Sequence, residues 1–378
     1  MSQDQDVSPT TTTPSPAATA HVVLVGSGDT HFYVAGQCAR LRRAGFRVTL
    51  VTREAFAFPD WLGGMLGGEW QRDDLLIDPA HIARHGGAYR PVDAVRVDPA
   101  NRRLTLDDGT TLDYDWLSLD CPPSADPDSV PGFYTARAIH DGRAESLWSL
   151  RQTLETSLAD AESTLGNVAV LGGGPRGIEF AANLLALGER YGRRLPVSLI
   201  DSHRRALPGA CRRANRWLAR RLDRRGLQLE LVATATRYEQ GRLTLDDGSH
   251  VAADRLLIVD PRRQSPPGLA GLPTSPDRGP AEPDGLSPGV ERILARDPEA
   301  TLPARERAEA LIRRLERAIA KGDPNPATPP SLTRWQALNL GDLRDIAWRG
   351  NLWCRGRWVR RLKHRRDRAE VARFCGED

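Results

Sequence analysis

Apolar residues in this chain come in short runs that stop at glycine and restart with a different period. Residues 168–171 are a continuous apolar strand pattern, 178–187 an alanine- and leucine-rich helical pattern, and 197–200 a second strand that ends on Asp201. Between the first strand and the helix, residues 171–179 read Leu-Gly-Gly-Gly-Pro-Arg-Gly-Ile-Glu. This order predicts a βαβ unit whose turn admits a dinucleotide. Gly172 makes the tight turn, Gly174 lets a pyrophosphate approach the backbone, and Gly177 packs the helix on the strand. The helix start adds free N–H groups and a positive dipole end. Asp201 is placed to accept hydrogen bonds from a ribose diol, which favours NADH. His203, Arg204 and Arg205 beside it leave the 2′-phosphate of NADPH open as the alternative.

A second unit of the same kind stands near the start. The apolar run 21–25 leads into Gly26-Ser27-Gly28-Asp29-Thr30-His31, a helix through about Ala44, and a strand at 47–51. Here His31 replaces the third glycine, and the strand ends on Thr52 instead of an acid. An internal repeat links the two units. Residues 104–109 and 243–248 both read Leu-Thr-Leu-Asp-Asp-Gly, an alternating pattern into an Asp-Gly turn, and apolar strands follow at 116–119 and 256–259. The expected class is α/β, with two tandem Rossmann-like domains.

The motifs at 26–31 and 172–179, Gly63-Gly64-Met65-Leu66, the strand ending at Asp120, and Gly356-Arg357-Trp358-Val359-Arg360 resemble the FAD-dependent pyridine nucleotide-disulfide oxidoreductases. Within that superfamily the chain is most similar to the type II NADH dehydrogenase group, in particular members fused to selenophosphate synthetase. The resemblance spans about residues 21–374. It implies FAD on the first fold through Gly26, Gly28 and His31, and NAD(P)H on the second through Gly172, Gly174, Gly177, Glu179 and Asp201. Hydride would pass from nicotinamide to flavin, which carries the redox work without a catalytic side chain, and electrons would leave to a quinone or similar acceptor. Glu179 would approach the flavin-nicotinamide junction; its plainer role is an acid at a helix start. His31 is either a cofactor contact or a packing variant.

The chain also departs from that plan. The counterpart of the family's third flavin motif is Ile293-Leu294-Ala295-Arg296-Asp297, which keeps Asp297 for the ribityl chain but has Arg296 for glycine. The Ala-Thr-Gly turn that closes each domain is replaced by Asp120-Cys121-Pro122-Pro123 and Asp260-Pro261-Arg262-Arg263. These changes gather at the flavin, so a degenerate relative that keeps only nucleotide binding or an interaction role is the alternative. The expected layout is a disordered segment at 1–20, an FAD-type domain from 21–125 and 290–330, an inserted NAD(P)H domain at 160–263, and a linker at 264–289. A basic Trp/Arg-rich segment, 331–378, ends the chain.

Composition adds three constraints. Five cysteines without paired spacing argue against a disulfide framework or a zinc site, and Cys121 reads as a structural cysteine more readily than a redox thiol. No apolar run reaches membrane-spanning length and no signal pattern opens the chain, so a cytoplasmic protein is expected. The net charge is only +4, but arginines crowd the C-terminal segment around Trp335, Trp348, Trp353 and Trp358. There a helix with Leu362 and Ala369 on one face reads either as a shallow membrane-surface helix on the inner face of the cell membrane or as a solvated basic helix. Specific nucleic-acid binding is not expected, since no nucleic-acid module is recognisable.

Overall fold

The computed structural model describes residues 20–120, 130–133, 138–172, 174–207, 209–259, 269–271, 286–290, 292–296, 303–321 and 335–376. Two sheets carry the architecture. The first has six strands in the order Leu286–Val290, Ile293–Arg296, Trp116–Leu119, Ala20–Val25, Phe46–Val51 and Ala88–Arg90. The second has five, in the order Ile139–Asp141, Arg255–Ile258, Val168–Leu171, Val197–Asp201 and Leu227–Leu231. Both are parallel except for the edge pair Leu286–Val290 and Ile293–Arg296. Val168–Leu171 is buried at every position, as a central parallel strand covered on both faces must be. The expected doubly wound α/β architecture is therefore present, in two copies.

The repeated hexapeptide builds the same object twice. Thr105 pairs with Thr111 and Leu104 with Leu112; Thr244 pairs with His250 and Leu243 with Val251. Each turn is closed by a glycine with positive φ, Gly109 at 80° and Gly248 at 82°, where a side chain would be strained. Each hairpin gains a third antiparallel strand, Ala94–Asp98 or Ala235–Glu239, and then feeds the next parallel strand of its sheet.

Boundaries differ from the sequence expectation at several places. The helix of the 172–179 motif is longer than 178–187 and runs Gly174–Arg190. The helix after the first motif is broken into Asp29–Ala35 and Cys38–Arg43 at Gly36-Gln37. The second sheet also takes an edge strand, Ile139–Asp141, from upstream of residue 160. Most of 264–289 lies outside the described residues, as do Cys121, Asp260 and Asp297.

The C-terminal segment is not a tail. It forms a three-stranded antiparallel sheet, Gln336–Leu338, Asp345–Arg349 and Leu352–Gly356, followed by the helix Arg357–Cys375. The face of that helix turned inward is Val359, Lys363, Asp367 and Phe374. Phe374 packs 5.0 Å from Phe32 and 5.9 Å from Phe56, ring centre to ring centre, and so docks the helix on the first domain. Leu362 and Ala369, read from sequence as the apolar face, are exposed. The helix instead buries an ion pair, with Lys363 Nζ 2.7 Å from Asp367 Oδ2 and donating at 2.7 Å to the Asp60 carbonyl. Among the described residues no helix is long and apolar enough to cross a membrane.

Removing one partner of a buried ion pair leaves an uncompensated charge, a loss of about 3–5 kcal/mol. Asp367→Ala should therefore lower the unfolding free energy by about that amount in urea titration, while the exposed Arg365→Ala stays within about 0.5 kcal/mol of the parent.

Candidate functional site

In the second domain the glycine turn opens at the positive end of the long helix Gly174–Arg190. A Cβ built on Gly177 would lie 2.0 Å from the Gly172 carbonyl, so this glycine is what lets helix and strand approach. A Cβ on Gly174, whose φ is +64°, would meet nothing within 4 Å among the described residues. The space beside Gly174 thus leaves room for a phosphate group to approach the backbone. Asp201 stands at the end of the next strand, buried, and accepts from the Gly174 N–H at 3.3 Å and from His203 Nδ1 at 2.8 Å. A carboxylate has about four acceptor sites, so capacity remains for a ribose hydroxyl. Arg204 and Arg205 are exposed beside it. These residues fit a pyridine nucleotide.

The first domain treats the same turn differently. Asp120, at the end of the strand Trp116–Leu119, places Oδ2 2.6 Å from the Thr30 N–H and 3.3 Å from the His31 N–H, and its carbonyl accepts from Gly28 at 2.7 Å. The helix N-terminus that would receive a pyrophosphate is therefore covered by the chain's own carboxylate. Gly28 permits this, since a Cβ there would lie 2.3 Å from Asp120 Cγ. The cradle has the donors an anion needs. FAD fits it on the condition that Asp120 gives way.

His31 is fully buried, with Nδ1 2.9 Å from the Gly26 carbonyl and Nε2 2.9 Å from Ser118 Oγ. Burial lowers its pKa, so the ring is a neutral packing group that staples the turn to the neighbouring strand. Of the two readings of His31, the side chain takes the packing one, which leaves its backbone N–H as the group at the turn. Glu54, two residues beyond the strand end at Thr52, lies 3.2 Å from Ser27 Oγ and brings an acid to the first turn that strand-end reading missed.

Between the two domains lies a buried polar seam. Glu179 extends from the second helix toward the first domain, and a Cβ on Gly63 would lie 2.5 Å from its Cγ. The Gly63-Gly64 pair is therefore a close-approach device. Asn339 ties the seam together. Its N–H donates to Glu179 Oε1 at 3.3 Å, its Nδ2 to Glu69 Oε2 at 2.7 Å, and its carbonyl accepts from Asn183 Nδ2 at 2.9 Å. Glu69 also pairs with Arg360. Sequence reasoning missed Asp120, Asn339 and Lys363; only Asp120 carried a signal, as the acid left where the family has a small residue.

Burial pushes Glu179 up to about 8, against the pull of Lys363, and pushes Asp345 up to about 7, against Arg360. Both carboxyls bind protons more tightly folded than unfolded, so stability falls as pH rises from the ordinary carboxylate range of about 4 up to about 7 for Asp345 and about 8 for Glu179. Glu179→Gln should flatten the decline. Its melting temperature should match the parent's near pH 5 and exceed it above pH 8, by about 1–1.5 °C for each kcal/mol recovered in a chain of this length, read by calorimetry across pH.

The sequence pattern of the pyridine nucleotide-disulphide oxidoreductases matches residues 20–293. Over 251 residues the chain is 26% identical to a probable ferredoxin reductase, CtmF, of Castellaniella defragrans; the match takes in 64% of this chain but only 57% of that protein. The chain thus spans little more than half the length of that relative. The fold is similar to sulfide:quinone oxidoreductase from Aquifex aeolicus, with a TM-score of 0.72 at 16% identity over 95% of this chain and 92% of the other. It is also similar to NDH2 from Plasmodium falciparum in complex with NADH, with a TM-score of 0.70 at 11% identity over 94% and 97%. With the match running from the first strand to the return strand of the six-stranded sheet, the chain belongs to the pyridine nucleotide-disulphide oxidoreductase family, whose members bind FAD and NAD(P)H.

Proposed function

We propose that the chain is an oxidoreductase of NADH dehydrogenase type, taking hydride from NAD(P)H and passing electrons to a quinone or similar acceptor. The observation that carries this reading is the Gly174 turn, where a Cβ would meet no described atom within 4 Å, beside buried Asp201 in a chain of a two-cofactor family. FAD, when bound, supplies the two-electron acceptor for the nicotinamide hydride. The chain's own residues do the rest. Gly172, Gly174 and Gly177 admit the dinucleotide, and Asp201 takes the ribose of NADH, with Arg204 and Arg205 beside it for a 2′-phosphate. Gly26, Gly28 and the N–H groups of Thr30 and His31 form the flavin's phosphate cradle, and Asp297 is the residue that the family plan assigns to the ribityl chain. Glu179, protonated near neutral pH, holds a proton at the seam between the two domains.

Asp120 favours a second reading, a relative that has given up flavin and keeps the nucleotide turn. The two separate on colour. The purified full chain should be yellow, or turn yellow with added FAD, and bleach with NADH under anaerobic conditions; colourless protein that takes up no FAD leaves the second reading. In a flavin-binding chain, Asp120→Asn removes a charge competing with the pyrophosphate and should tighten FAD by about tenfold, or about 1.4 kcal/mol. Quenching of flavin fluorescence measures it.

The acceptor side of the proposal is a membrane surface on its cytoplasmic face. Trp358 and Leu362 are 55% and 61% exposed, one turn apart on the C-terminal helix, with Arg361 and Arg365 beside them. Leu362→Asp should release the protein from liposomes in a sedimentation assay without changing its melting temperature; unchanged sedimentation removes this helix as the anchor.

A further inference from the structure

The helix Arg212–Arg225 is built against its own stability. Seven of its fourteen residues are arginine and one is acidic. Two of the arginines open the helix, where the macrodipole favours anions, and the preceding Cys211 gives no side-chain cap. Arg216, Arg220 and Arg224 follow at spacings of four, which places like charges next to one another. Such an arrangement costs free energy unless something negative offsets it.

The structure shows where that something fits. These arginines form one wall of a cavity of about 640 Å³, whose opposite wall is Arg344 and the hairpin strand Leu352–Gly356. Seven arginines line it. Asp342 pairs with Arg221, but Arg213, Arg216, Arg220, Arg224 and Arg344 have no carboxylate partner among the described residues. On the arginine-rich C-terminal helix, by comparison, Arg360 and Arg366 are paired with acids. The floor holds Trp217 and Trp353, packed against each other at 5.9 Å, with the Arg355 guanidinium 4.9 Å and 5.6 Å above the two rings.

We propose that this cleft binds a compact polyanion carrying two or more linked phosphoryl groups. Arginine matches phosphate oxygens two at a time, and guanidiniums converging from two walls suit a ligand that enters between them. The volume is that of a small-molecule site, within the range of roughly 300–1,000 Å³. Single-stranded nucleic acid fits less well, because it is held by bases stacking on open aromatic faces, and here the rings already pack on each other and under Arg355. The cleft lies apart from the two glycine turns, so the assignment does not depend on the redox reading.

The test uses the full chain and inorganic triphosphate as probe, by calorimetric titration and thermal shift. Triphosphate should bind, raise the melting temperature and weaken with added salt. Arg220→Gln/Arg224→Gln, both exposed, should reduce its affinity at least tenfold, while Arg361→Gln/Arg365→Gln on the C-terminal helix leaves it unchanged. Equal effects of sulfate at matched ionic strength would overturn the proposal. So would triphosphate binding that NADH competes away, or that survives Arg220→Gln/Arg224→Gln. Capture of phosphatidic acid vesicles, single-stranded RNA or an acidic protein through these arginines, with triphosphate ignored, would replace the small ligand with a macromolecular partner.

Discussion

A single ammonium group, that of Lys363, sits where the first domain, the second domain and the C-terminal helix meet. Its side chain is 2% exposed and that of Asp367 is fully buried. Taking both ions out of water costs several kcal/mol apiece, recovered only where geometry and remaining hydrogen bonds are good. Here the Asp60 carbonyl and the Asp367 carboxylate both accept from Nζ. Asp60, Asp367 and Glu179 together raise the Lys363 pKa, so the charge is kept despite its burial. One cation near three carboxyls cannot hold all three ionised. Asp60 is held below its ordinary value by Lys363, Arg366 and Arg305 in spite of burial, and Glu179, without a direct cationic partner, keeps its proton. The last helix thus keeps Asp60 ionised, while burial keeps Glu179 protonated against the pull of the same lysine.

That docking also fixes what the two domains can do relative to each other. Asn339 joins Glu179 and Asn183 on the second domain to Glu69 on the first, and Arg360 of the C-terminal helix donates to its Oδ1 at 3.2 Å. Gly67 admits Asn183 and Gly63 admits Glu179, each at a distance that no Cβ would allow. The duplicated plan is therefore closed into one unit by contacts neither copy contains on its own. The copies diverge at the position that matters most for binding. A helix N-terminus attracts an anion: the first copy meets it with Asp120, 90 residues away, at 2.6 Å from the Thr30 N–H, and the second with a longer 3.3 Å bond from Gly174 to Asp201.

Much of this plan was legible in sequence because it is local. Strand, glycine turn and helix follow one another within a few residues, and the hairpin repeat declares the duplication outright. What could not be read depends on partners far apart along the chain. His31 meets Ser118 across 87 residues, and Lys363 meets Asp60 across 303. Lys363 stands in a run of arginines and carries no local mark of burial. The inward face of its helix differs from the sequence expectation for the same reason: Leu362 and Ala369 read as its apolar face, but the docking surface takes a cation at position 363 and an aromatic ring at 374.

A net charge of +4 conceals two unlike uses of arginine. In the seam, guanidiniums are structural: Arg360 meets Glu69, Arg151 donates to the carbonyls of Met65 and Trp70, and Arg176 pairs with Asp29 across the domains. Such groups are bound to particular acceptors and would add little to the protein's external field. Five arginines of the helix Arg212–Arg225 line a concave space whose described lining holds no acid, and there the field is focused instead of cancelled. Composition cannot distinguish the two, since both appear as Arg-rich helices with interleaved tryptophan. Only pairing separates them. The chain could have placed acids four residues from these arginines, as it does with Glu309 and Arg313. Among the described residues the charge of the cleft is left for a ligand to balance.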